Sequence, residues 1–239
     1  MKSNDPIPRI VAHRGSSERR LDNSWAAFEG AVAERADAIE CDVQRTRDGM
    51  LVIRHDLSLH GRLVAELTAA EIDGEEPGLV RLADLLDWAR RVEIDLLVEL
   101  KDPDAAPALA ETVAASPWRD RIVVGSFHGP ALAVAKTQAP AVKTSLMVGS
   151  VFATEDLVRL SQAYGADGVH PCWEDRAPRP HRLLDLTAVH RIRDAGLFLT
   201  LWHEERESEL RALVALAPDA ICTNAPARLR QILENLPRP

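Results

Sequence analysis

Aromatic residues make up only 4% of this 239-residue chain, with a single tyrosine, and cysteine occurs three times. Cys41, Cys172 and Cys222 are odd in number and far apart, so they read as buried reduced thiols rather than a disulfide framework, and no CxxC pair offers a zinc site. No stretch approaches the roughly 20 apolar residues of a membrane helix. The opening Met1-Lys2-Ser3-Asn4-Asp5-Pro6 lacks the apolar segment of a secretory signal, so a cytoplasmic location is expected. Dense basic runs are also missing. With 29 Lys+Arg against 37 Asp+Glu the formal charge is −8, which argues against nucleic acid or an anionic membrane surface as partner. No GxGxxG follows the first strand-like run and no GxxxxGK[ST] occurs, which weighs against a doubly wound open sheet.

What is present is regular alternation. Short runs rich in Val, Ile and Leu recur at 9–13, 38–44, 51–55, 95–100, 122–126, 143–148, 167–170, 197–202 and 220–223. Amphipathic segments separate most of them, for example Ser24–Arg35, where Trp25, Phe28 and Val32 are spaced by three and four. Strand–helix alternation implies a parallel sheet, because parallel neighbours need crossover connections. Nine strands are one too many for an eight-stranded barrel. Asp48-Gly49 leaves no room for a helix between the second and third runs, so Leu51–His55 is expected to fold back antiparallel as a hairpin. The expected fold is a (β/α)8 TIM barrel, with that extra hairpin strand after β2 and a short or absent insertion. It spans residues 1–239 as one domain. Arg176–Arg182 reads as a surface loop.

Barrel sites are built at the carboxyl ends of the strands. The first strand ends His13-Arg14-Gly15, an imidazole and a guanidinium side by side; an ordinary polar βα turn would carry the same residues. Glu40 and Asp42, at i and i+2, share one strand face, and two carboxylates inside a barrel call for a neutralising partner such as Mg²⁺ or Ca²⁺. A solvent-facing pair or a salt bridge is the plainer alternative. The hairpin return ends at His55-Asp56, and the next barrel strand presents Glu99 and Lys101 on one face. A third carboxylate there could complete a metal site and the ammonium could meet a phosphate oxygen; a simple ion pair would look the same. Trp202 could wall a substrate or simply fill the core. His60, His128, His170 and His203 follow strand-like runs and could face the same mouth, whereas His181 and His190 carry no role.

Taken in chain order, these residues resemble the glycerophosphodiester phosphodiesterase family. The matching residues are His13-Arg14-Gly15, Asp22-Asn23-Ser24, Glu40-x-Asp42, Asp48-Gly49, His55-Asp56, a helix start at Leu67-Thr68-Ala69-Ala70-Glu71, Glu99-x-Lys101, Ser126-Phe127, Gly165-Ala166-Asp167-Gly168, Trp202 and Thr223-Asn224-x-Pro226. The resemblance implies a metal-dependent phosphodiesterase that releases glycerol 3-phosphate and an alcohol. It implies Glu40, Asp42 and Glu99 as ligands of Ca²⁺ or Mg²⁺, His13 and His55 as the acid–base pair, and Arg14 and Lys101 as phosphate contacts. Trp202 would line the substrate. The partner implied is a small-molecule glycerophosphodiester; neither nucleic acid nor a transmembrane segment is expected, and the oligomeric state is not legible.

The chain also departs from the family pattern. Asp22-Asn23-Ser24 stands where Glu-Asn-Thr is usual, and the segment around His60-Gly61-Arg62 is compressed. His203 stands where Thr is commoner, and Asn224 where Asp is frequent. A shorter loop leaves the mouth more open, which keeps a phospholipase D-like action on lysophospholipids as an alternative. A non-catalytic barrel that binds a phosphorylated ligand is a third reading. Retention of three carboxylates with both histidines argues against it.

Overall fold

The computed structural model describes residues 7–172 and 177–236. In chain order its elements are β1 (Arg9–Ala12), α1 (Trp25–Ala33), β2 (Ala38–Arg45), β3 (Leu51–Ile53), β4 (Ser58–Leu59), β5 (Arg62–Leu63), α2 (Ala69–Glu75), β6 (Val80–Arg81), α3 (Leu82–Val92) and β7 (Asp95–Leu100). Then come α4 (Ala106–Ala115), β8 (Ile122–Ser126), α5 (Gly129–Gln138), β9 (Lys143–Val148), α6 (Thr154–Ala163), β10 (Gly168–Pro171), α7 (Leu186–Asp194), β11 (Phe198–Leu201), α8 (Glu207–Ala215), β12 (Ala220–Thr223) and α9 (Pro226–Glu234). Strands β1, β2, β7, β8, β9, β10, β11 and β12 pair in parallel, and β1 closes the ring by pairing with both β2 and β12. This is the expected TIM barrel.

Each barrel strand alternates its faces. Val11, Ala38, Leu97, Val123, Met147, Phe198, Ala220 and Cys222 pack together as the interior. The residues between them, such as Ile39, Cys41, Leu96 and Val98, turn outward against the helices. Two glycines make the interior possible. A Cβ on Gly168 would meet the Phe198 ring at 2.4 Å, and one on Gly125 would meet Met147 Sδ at 2.9 Å. The helices bury one stripe each, as in α3, where Leu82, Leu85, Leu86 and Ala89 face the barrel at helical spacing. All three cysteines are buried.

Strand β3 runs antiparallel to β2, with Val43 opposite Ile53 and Arg45 opposite Leu51. Val43 also pairs with Leu100 of β7, so β3 occupies the edge that β1 covers lower down, at Val11–Ala38. The turn is a loop in which Gly49 N donates to Thr46 O and Gly49 alone takes positive φ, at +84°. The strand stops at Ile53, two residues before the expected end; Arg54 N still donates to Asp42 O, and Gln44 Nε2 donates to the carbonyls of Arg54 and Asp56 as the chain leaves the sheet. The rest of the insertion is short. A β4–β5 hairpin turns on His60 and Gly61, both at positive φ; α2 follows, with Thr68 and Glu71 as a reciprocal cap; and β6 pairs with β3. Val52, Leu59, Val64, Leu67 and Ile72 give this segment its own small core. In the segment expected as a surface loop, Pro178, Arg179 and Arg182 are exposed, while Pro180 is buried at the start of a 3-10 turn; Arg176 lies outside the described residues.

Candidate active site

Gly15 places the first cluster. Its φ of +85° turns the chain directly after β1, and a Cβ there would strike the α1 backbone at Ala27, 2.6 Å away. The turn and the helix therefore demand glycine, and the residues before it point into the barrel mouth. Arg14 is itself left-handed at φ +54°, and so is Asn23 at φ +53°; local strain of this kind is held in place by the contacts around it.

Glu40, Asp42 and Glu99 converge on the mouth, each offering an oxygen within 4.8 Å of the others, all buried. Register explains the meeting: Asp42 lies opposite Glu99 across the β2–β7 ladder, and Glu40 is one inward position below. Arg14 Nε lies 3.1 Å from Asp42, and its Nη1 donates to Asp22 at 2.9 Å. Lys101 Nζ sits 2.8 Å from Glu99 and 3.4 Å from Asp42. Asn23 Nδ2 donates to Asp42 Oδ2 at 2.8 Å, and Arg14 N donates to Glu40 Oε2 at 2.9 Å. Asn23 thus anchors a carboxylate, a part its sequence motif did not reveal.

Two cations do not balance the cluster. Burial, then repulsion from Asp42 and Glu99, pushes the Glu40 carboxyl well above the ordinary carboxylate range. Burial and Asp42 push Glu99 up to about 7. Burial opposes the charges on Arg14 and Lys101, but the surrounding carboxylates outweigh it and raise both. Glu40 Oε1 is buried without a hydrogen bond among the described residues, and Asp42 Oδ1, also without one, has only the Lys101 ammonium at 3.4 Å. Such orphaned anionic oxygens are costly unless a cation meets them. The donor set is all oxygen, which suits a hard divalent ion. On that ground the residues fit a bound Ca²⁺ or Mg²⁺.

The two histidines sit in different surroundings. His13 is 5% exposed. Its Nε2 lies 3.9 Å from Glu40 Oε2 and its Nδ1 lies 2.7 Å from Asn224 Oδ1. Burial, then the charges of His203 and Arg14, push its pKa well below the ordinary histidine value. The His55 side chain is 39% exposed, with Nδ1 bonded to Asp56 at 2.9 Å. It opens on a cleft of about 340 Å³ that Arg14, Asp22, Asn23, Arg54 and Asp56 also line.

The other candidates divide. Trp202 is buried, edge-on to His13 at 5.5 Å and beside His170 at 4.9 Å, so it buttresses the His13 ring more than it lines open space. Phe127, 5.5 Å from Trp202, is the ring on the open side. His203 stacks on His13 at 4.6 Å. His170 lies inside the barrel rather than at its rim, and burial lowers its pKa to about 3. His60 is on the β4–β5 turn near Glu75, and His128 is exposed at the start of α5.

A family model described as the Glycerophosphoryl diester phosphodiesterase family matches residues 13–228. The chain belongs to that family. A glycerophosphodiester phosphodiesterase of Caldanaerobacter subterraneus subsp. tengcongensis is 28% identical over 244 residues, covering 92% of this chain and 95% of its own. One from Bacillus altitudinis is 26% identical, covering 96% and 100%. A solved structure from Oleispira antarctica superposes with a TM-score of 0.81 at 22% identity, covering 96% of this chain and 98% of its own. That phosphodiesterase was captured with its product, sn-glycerol-3-phosphate. The chain is therefore an enzyme of the phosphoric diester hydrolase class, and its mouth is where family members of this barrel carry their chemistry.

Proposed function

We propose that this phosphodiesterase hydrolyses small glycerophosphodiesters to glycerol 3-phosphate and an alcohol, with a divalent cation and a histidine pair. The observation that carries the reading is the buried triad of Glu40, Asp42 and Glu99, set between Arg14 and Lys101 and bordered by His13. Glu40, Asp42 and Glu99 would hold the Ca²⁺ or Mg²⁺, which would supply Lewis-acid charge for the phosphoryl group. Arg14 and Lys101 meet the remaining phosphate oxygens, so that the charge developing on phosphorus-bound oxygen is stabilised in a largely buried site. One imidazole takes the proton of the attacking oxygen, and the other gives one to the departing alcohol. His55 opens on the cleft, which suits the side from which the alcohol leaves.

A second reading, action on lysophospholipids, draws on one observation. Leu21, Leu57, Leu63, Phe127, Val151 and Phe152, on loops after the barrel strands or in the insertion beside them, are exposed large apolar residues that an acyl chain could follow. No helix among the described residues is long and apolar enough to cross a membrane.

The test is release of glycerol 3-phosphate from glycerophosphocholine and other glycerophosphodiesters, and of lysophosphatidate and choline from lysophosphatidylcholine, with Mg²⁺, with Ca²⁺ and with chelator. Cation-dependent release that falls by about 10²–10⁴-fold in His13→Ala is the expected result. Release that chelation leaves intact would overturn the metal reading, and wild-type rates in His13→Ala would overturn the acid–base assignment. A preference for lysophosphatidylcholine would select the second reading.

A further inference from the structure

The His13 ring is held on three sides. His203 stacks on one face at 4.6 Å and 22°. Trp202 presses edge-on at 5.5 Å. On its Nδ1 edge stands Asn224 Oδ1, 2.7 Å away. Its remaining polar atom, Nε2, is buried without a hydrogen bond among the described residues and faces Glu40 across 3.9 Å.

Asn224 is itself tied down. It directly follows β12, and its backbone N donates to Glu205 Oε1 at 2.9 Å. The same oxygen lies 3.0 Å from His203 Nδ1, so one carboxylate positions both the amide and the stacked ring. Burial works against ionisation of Glu205. The His203 bond and charge, the Asn224 amide and Arg228 outweigh it and hold its pKa below the ordinary value. Ser17 Oγ lies 2.8 Å from Asn224 Oδ1 and 2.8 Å from His13 O, so its one hydroxyl hydrogen is shared between two carbonyl oxygens. A neutral imidazole carries one N–H, and the partner of one nitrogen decides which nitrogen has it.

We propose that Asn224 is a positioning residue for His13: its amide oxygen accepts the Nδ1–H, which locks the tautomer that presents an unprotonated Nε2 to the reaction site. The inference rests on the phosphodiesterase reading, because it assigns Nε2 as the nitrogen that exchanges a proton with the substrate. Asn224 itself touches no reacting atom. It acts through ring orientation and tautomer, as the partners that fix a catalytic imidazole do elsewhere. The opposite arrangement, with the amide nitrogen turned to His13, would make Nδ1 an acceptor and leave the proton on Nε2.

The deciding comparison is Asn224→Ala against Asn224→Asp. An aspartate keeps an acceptor for Nδ1–H and has no N–H to donate. Asn224→Ala should lower kcat by on the order of 10–10²-fold with KM within about twofold, and Asn224→Asp should recover most of that loss. In parallel, nitrogen NMR of the wild-type protein, without substrate or added metal, should show a protonated Nδ1 and a bare Nε2 on His13. Wild-type kcat in Asn224→Ala would overturn the proposal. So would an Asn224→Asp enzyme as slow as Asn224→Ala, or a proton on Nε2 in the spectrum. The spectrum needs no turnover, so a wild-type protein that releases no glycerol 3-phosphate would sink the functional reading while the tautomer is still decided.

Discussion

At the floor of the barrel one buried carboxylate, Asp95, meets two guanidiniums. Arg9 Nη2 lies 2.7 Å from Oδ2, and Arg121 bonds Oδ1. At the mouth, three buried carboxylates face Arg14 and Lys101, and two carboxylate oxygens keep no hydrogen bond. The same strands carry both ends: β7 begins with Asp95 and ends beside Glu99. The floor satisfies its charges within the chain, so its ion pairs serve cohesion. The mouth leaves an excess of negative charge, which weakens the fold unless a cation arrives. Histidines follow the same division, with His13 and His170 buried and neutral toward the mouth end and none among the floor residues.

Three changes would break or sharpen that contrast. The largest concerns His170. In the folded state it stays neutral down to about pH 3, whereas an unfolded histidine takes up a proton near the ordinary value of 6.5. Unfolding therefore binds protons, and stability falls as pH drops from about 6.5 toward 3, by up to about 5 kcal/mol from this group. His170→Phe should flatten that acid limb in urea titrations at stepped pH; an unchanged slope would mean the imidazole is not held neutral.

Removing the floor carboxylate comes next. Asp95→Ala leaves Arg9 and Arg121 without their shared partner and should cost about 2–3 kcal/mol, lowering the urea midpoint, while kcat stays near wild type. A fall in kcat at unchanged stability would erase the distinction between the two ends.

The smallest effect has the opposite sign. The folded-state pKa of Glu40 is raised, so its contribution to stability declines as pH rises above the ordinary carboxylate value of 4.5. Glu40→Gln keeps an acceptor for Arg14 N and removes that charge. At pH 8 metal-free Glu40→Gln should be more stable than metal-free wild type by about 1–2 kcal/mol, and so melt at a higher temperature. The rise in Tm that Ca²⁺ or Mg²⁺ gives the wild type should vanish in it. A lower Tm in the metal-free variant would show that the triad is held together by its own hydrogen bonds.

Much of this was legible in the residues. Alternating strand and helix periods, together with the lack of phosphate-loop glycines, are enough for a parallel barrel. Asp48-Gly49 is enough to remove Leu51–His55 from it. The i, i+2 spacings Glu40-x-Asp42 and Glu99-x-Lys101 fix which side chains share a strand face, since side chains alternate with period two. The β4–β5 hairpin and β6 escaped because two-residue strands have no periodicity to detect, although His60-Gly61 marks the turn.

What the tertiary structure alone decided is which polar groups meet across the barrel. His13 and Asn224 are 211 residues apart and touch because β1 closes on β12; Asn23 reaches Asp42 because the turn at Gly15 brings the segment before α1 back over β2. His170 and Trp202 gave the same signal in sequence as residues at the rim, yet one is sealed inside and the other props His13. Local spacing determines the face a side chain takes along its own strand. Shear and closure of the sheet determine what it finds there, and those belong to the whole ring of strands rather than to any one of them.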